Sequence, residues 1–75
     1  MIYFFDRVGE NRAEYDYKGC AFQTPEKARQ MAELIALDLG IESEGAWFGW
    51  SVDVLDVRGK RFFSIPVCAP ERTAA

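Results

Sequence analysis

Seventy-five residues, 49% hydrophobic and 15% aromatic, make one small domain with enough apolar side chain to fold around a core, and they exclude a disordered chain. Nine Lys and Arg against twelve Asp and Glu leave a net charge of −3, which argues against non-specific binding to nucleic acid or to an anionic membrane. No apolar run reaches the roughly 18 residues of a membrane span, and the absence of histidine removes a His-based triad and every His-containing zinc site.

In chain order, Ile2–Val8 is an apolar, aromatic-rich run that predicts a strand, and Gly9-Glu10-Asn11 supplies turn residues. Residues 12–18 alternate, with Ala13, Tyr15 and Tyr17 on one side and Glu14, Asp16 and Lys18 on the other. That pattern predicts a second, half-exposed strand that closes a hairpin and ends at Gly19. Thr24-Pro25-Glu26 predicts a helix start: a capping hydroxyl, a proline at the first helical position and an acid against the positive end of the dipole. Ala28, Met31, Ala32, Ile35 and Leu39 then fall on one stripe, and Gly40 stands where a left-handed C-cap belongs, giving a helix over 25–39.

Residues 50–57 alternate again, with Trp50, Val52 and Val54 on one face and Ser51, Asp53 and Leu55 on the other. Residues 56–60 form a hairpin turn with Gly59 at positive φ. Residues 61–67 return as a last strand, with Phe63, Ile65 and Val67 on one face. The order β-β-α-β-β predicts an α+β two-layer sandwich, a four-stranded antiparallel sheet with one helix on one face. The apolar first strand belongs inside the sheet. Pro66 suits an edge for the last strand and the charged second strand suits the other edge, so the expected order is 2-1-3-4. Residues 1–68 make this single domain and 69–75 a frayed tail.

The assembled pattern resembles a family of short uncharacterised bacterial proteins, mostly alphaproteobacterial, with a Y-F-F opening strand, a Gly before an Ala-rich helix, and a W-x-V-x-V-x-D-x-x-G hairpin. Here these are Tyr3-Phe4-Phe5, Gly19, the helix alanines and residues 50–59 from Trp50 to Gly59, with Phe63, Ile65 and Pro66 in the closing strand. The similarity spans about residues 2–67. Asp6 departs from the histidine of many relatives, and Trp47-Phe48 looks like an addition. The resemblance implies a domain of unknown function, so no activity is carried over.

Individual residues point to shape more than to chemistry. The opening MIYFFDRV lacks the basic region and cleavage site of an export signal, so the cytoplasm is expected. There Cys20 and Cys68 are expected to be free thiols acting as small hydrophobes, and two cysteines cannot close a tetrahedral metal site. No glycine pattern forms a phosphate-binding loop, so no cofactor is expected. Asp53 and Asp56 fall on opposite faces, Asp56 begins a turn, and Glu42 and Glu44 lie in a solvated loop; none has a partner to tune it for acid–base work.

Trp50 reads as a core residue. Trp47 and Phe48, within GAWFGW, either fold back over the end of the sandwich or leave one ring exposed to anchor a partner. Tyr3, Phe5, Leu55, Val57 and Phe62 are expected on the sheet face away from the helix, extended by Trp47 and Phe48. That apolar face predicts a non-enzymatic association module, a homodimer packed face to face. Nucleic-acid binding by the same face, with the cations of RGKRFF beside its aromatics, is the second reading. An enzyme is the third, for want of a convergent polar set.

Overall fold

The computed structural model describes residues 1–42 and 46–67, with the Glu42 side chain left aside. The expectations for Cys68, Glu44, the tail 69–75 and Gly45 of GAWFGW lie outside the described residues. The elements are β1 (Ile2–Val8), β2 (Ala13–Glu14), β3 (Cys20–Ala21), α1 (Pro25–Glu42), β4 (Ser51–Leu55) and β5 (Arg61–Pro66). The sheet runs β2-β1-β4-β5, antiparallel throughout, and β3 also pairs with β1. The fold is α+β, with one helix on one face of an open sheet.

The expected second strand is broken in two. Its alternation holds only at Ala13 and Glu14, which pair with Val8 and Arg7; the chain then swings out and returns at Cys20 and Ala21, opposite Tyr3 and Ile2. Asp16 is the reason. Its carboxylate takes the ladder position the strand has left, accepting the Phe5 amide at 3.2 Å, and it folds back to accept those of Lys18 at 3.0 Å and Gly19 at 3.2 Å. The Asp16 amide in turn donates to Asp6 Oδ1 at 3.0 Å. A short acid that bonds nearby backbone competes with a ladder, and here it wins. Gly19 closes the excursion at φ 71°, where an added Cβ would stand 2.7 Å from Ile2 Cγ2.

The helix begins as read. Thr24 Oγ1 accepts the Lys27 amide at 3.3 Å and Pro25 is its first residue. Its end differs: α1 runs through Gly40 to Glu42, and Gly40 is not among the positive-φ glycines. Gly40 is buried, and staying helical keeps its backbone bonded where water is excluded. Glu42 therefore belongs to the helix and not to a loop. Facing the sheet are Ala28, Ala32, Ala36 and Leu39, all buried. Met31, expected among them, turns outward and is exposed. A line of alanines at i, i+4 and i+8 lets the helix backbone lie close to the strands.

Opposite that line, Tyr3, Val52 and Val54 are the fully buried large side chains. Trp50 precedes β4 instead of starting it, and packs half-buried against the core. The turn after β4 closes as expected: Asp56 Oδ1 accepts the amides of Arg58 and Lys60, each at 2.9 Å, and Gly59 has φ 82°.

Candidate interaction surfaces

Cross-strand register decides which side chains share a face, and it divides the expected apolar patch. Phe5 pairs with Val54 and Arg7 with Val52, so Tyr3, Phe5 and Arg7 point to the helix side together with the core valines. The expectation that Tyr3 and Phe5 lie on the far face is thus corrected. Both Ile2/Phe4 and Tyr3/Phe5 are apolar, so alternation alone left the parity of β1 open. Phe62 is corrected for a different reason. Val54 pairs with Phe63 but Leu55 with Arg61, so Phe62 is an extra residue at a register shift. It swings toward the core, edge-on to Tyr3 at 5.9 Å between centroids and 76°.

On the open face, Leu55 sits opposite Phe4 and Val57 is exposed in the following turn. The centre of that face is polar. Asp53 lies opposite Asp6 on β1 and Ser64 on β5. It is only 5% exposed. Ser64 Oγ donates to its Oδ1 at 2.7 Å and Ser51 Oγ at 3.0 Å, while Arg61 reaches its Oδ2 at 3.3 Å. Accepting from Ser51 on β4 and from Ser64 and Arg61 on β5, the Asp53 carboxylate clamps the two strands together. Among the described residues, no three metal-ligating side chains gather to hold an ion.

The two remaining candidates part company. Trp47 folds back, edge-on to Trp50 at 4.7 Å and 75°, with the Arg7 guanidinium 5.5 Å from its ring. Phe48 stays 44% exposed. Cys20 is a free thiol and is exposed on the edge segment β3, opposite Tyr3, so it is not packed as the small hydrophobe expected.

On the helix side, α1 lies against β4 and β5 and leaves the strip over β1 partly bare. A cleft of about 460 Å³ opens there, lined by Phe5, Arg7 and Ile35 and by the excursion from Glu14 through Lys18. Phe5 is edge-on to Phe22 at 5.9 Å and 79°, and the Arg7 guanidinium sits over the Trp47 ring. Arg7 pairs with Glu14 at 3.4 Å. Partial burial works to raise the Asp16 pKa, but the amides of Gly19, Lys18 and Phe5 and the charge of Arg7 outweigh it and hold the carboxyl below its ordinary 3.8.

The surface missed from the sequence is the outer side of α1. Leu34, Leu37 and Ile41 are 57%, 51% and 60% exposed, and Met31 flanks them. Spacings of three and four residues place them in a row opposite the alanine line. The signal is in the sequence, since the helix carries two apolar stripes and the one containing the alanines is the one that meets the sheet. No helix among the described residues is long and apolar enough to cross a membrane.

The chain belongs to the family described as a domain of unknown function, DUF6894, which matches residues 2–68. No curated protein and no solved structure matches it.

Proposed function

Because membership of that family assigns no activity, we propose from the surfaces themselves that this domain is a non-enzymatic, cytoplasmic association module whose partner is a second copy of the chain. The observation that carries the reading is the exposed row Leu34, Leu37 and Ile41 on α1. A surface helix of a monomer keeps charge on its outer side, and one that is apolar on both sides is normally buried on both. Contiguous exposed aliphatics mark association sites, and two-fold pairing is the commonest way a chain covers its own patch. The sheet face away from the helix supports the reading less, with its buried Asp53 and its neighbour Asp6 at the centre. The same acids, with Asp16, weigh against phosphate binding there.

Light scattering at about 100 µM tests the reading. The parent chain is expected at twice the monomer mass, and Leu37→Lys at the monomer mass with an unchanged far-ultraviolet circular dichroism spectrum, since the side chain already stands in water. A parent that is monomeric at that concentration refutes homo-association. A salt-sensitive gel shift of single-stranded DNA or RNA by that monomer would transfer support to nucleic-acid binding.

A further inference from the structure

We infer that the outer row of α1 seats in the cleft over β1 of a second copy, and that each copy does this to the other. The inference rests on the association reading above and adds the place of contact. A helix roughly 10 Å across covers about two strands spaced at about 4.8 Å. On this sheet it covers β4 and β5, so the strip over β1 is left to the cleft, floored by Phe5 and Arg7 and walled by Ile35 on one side and Tyr15, Tyr17 and Lys18 on the other.

The row is long enough to cover the floor, and the charges are complementary. From Leu34 to Ile41 the helix rises about 10 Å. The cleft floor runs from Phe5 to Arg7, two strand steps of about 3.3 Å or about 7 Å in all, so the row more than spans it. In the cleft wall, Glu14 is occupied by Arg7 and Asp16 by backbone amides, whereas Lys18 has no carboxylate partner among the described residues. On the helix, Glu33 and Asp38 flank the row and have no cationic partner among the described residues either. An acid-edged apolar row therefore meets an apolar floor with a spare cation on its rim.

A two-fold axis makes the contact twice, because each copy brings one row and one cleft. A specific interface needs about 1,000 Å² or more in total, and the two equivalent contacts, each burying Leu34, Leu37 and Ile41 of one copy, supply its apolar centre. The helices then lie side by side between the two sheets, each with its alanine line on its own strands and its leucine row on the partner's.

The test places a photo-cross-linking benzophenone amino acid at Tyr17, whose side chain is 87% exposed, in a mixture of isotopically light and heavy chains at about 100 µM. Mass spectrometry is expected to find light–heavy links from position 17 to residues 33–41. Lys18→Glu is expected to weaken the dimer roughly tenfold at low salt, since it sets acid against Glu33 and Asp38. Links from a probe at position 37 to position 37 of the other copy, with none from 17, overturn the cleft while leaving association intact. Links from 17 confined to one chain, or an unchanged Kd for Lys18→Glu, also overturn it. A monomeric parent removes both readings at once.

Discussion

Asp16→Ala tests the part of the fold with the weakest signature in the sequence. The substitution removes a charged acceptor shared by three amides. Those of Phe5 and Gly19 are partly buried, and that of Lys18 faces water and rebonds to it. A hydrogen bond to a charged group contributes about 1.5–3 kcal/mol. Taking the low end for an edge that water can reach, two lost bonds cost about 2–3 kcal/mol. For a domain of 60–100 residues, each kcal/mol moves the melting temperature by about 4–8 °C, so a fall of about 10–20 °C is expected at pH 7 by circular dichroism.

Acid gives an independent check on the same group. The folded carboxyl titrates below its ordinary 3.8, so its contribution is complete above that value and is lost as pH falls through the lower folded value. The parent is therefore expected to lose stability more steeply than Asp16→Ala as pH falls below the ordinary 3.8, and the two melting curves converge at the acid end. A variant that melts within about 3 °C of the parent at pH 7, or one with the same acid slope, refutes the claim that Asp16 substitutes for a missing ladder bond.

Two further substitutions probe the ends of the elements. Thr24→Ala is expected to cost about 1 kcal/mol by stripping the cap from α1, a drop of about 4–8 °C; an unchanged melt places the helix start elsewhere. Gly9→Ala puts a Cβ 2.6 Å from Trp50 Cε2, and the crowding is expected to cost about 1–3 kcal/mol and to alter tryptophan emission, whereas an unaltered spectrum shows that the Trp47–Trp50 pair does not rest on that turn.

Elements with strong local chemistry were legible in the sequence, and matters of parity were not. Ile2–Val8, the Thr24-Pro25 start, the Asp56–Gly59 turn and the antiparallel order are written in turn residues, caps and the position of Pro66. The face of Tyr3 and Phe5 is not, because their neighbours Ile2 and Phe4 are just as apolar, and only the pairing of Phe5 with Val54 decides. Phe62 escapes alternation because one inserted residue shifts every side chain after it. The broken second strand depended on a contact between Asp16 and Phe5, eleven residues apart, which no local pattern encodes. The outer leucine row was legible but unread, since a helix that buries its alanines hides its larger side chains in plain sight.

That reversal of sizes has an energetic consequence. The helix spends its small residues, Ala28, Ala32 and Ala36, on the core, and among the described residues the large side chains buried in full are Tyr3, Val52 and Val54. Alanines remove little apolar area from water, and a chain of this length buries a smaller share of its surface than a larger domain does. The outer aliphatics Leu34, Leu37 and Ile41 contribute fully only once a second copy covers them, so folding and association are expected to be coupled. For a dimer that unfolds to two chains, each tenfold rise in concentration adds about 1.4 kcal/mol per dimer to stability. At about 2.1 cal/mol/K per residue, two chains of 75 residues have an unfolding entropy of about 0.3 kcal/mol/K. The melting temperature is therefore expected to rise by about 4 °C per tenfold, read by circular dichroism at 1, 10 and 100 µM, and to stay flat for Leu37→Lys. A flat parent that light scattering still finds dimeric would mean that the core around Tyr3, Leu39, Val52, Val54 and Val67 holds the monomer unaided, and that the leucine row serves association alone.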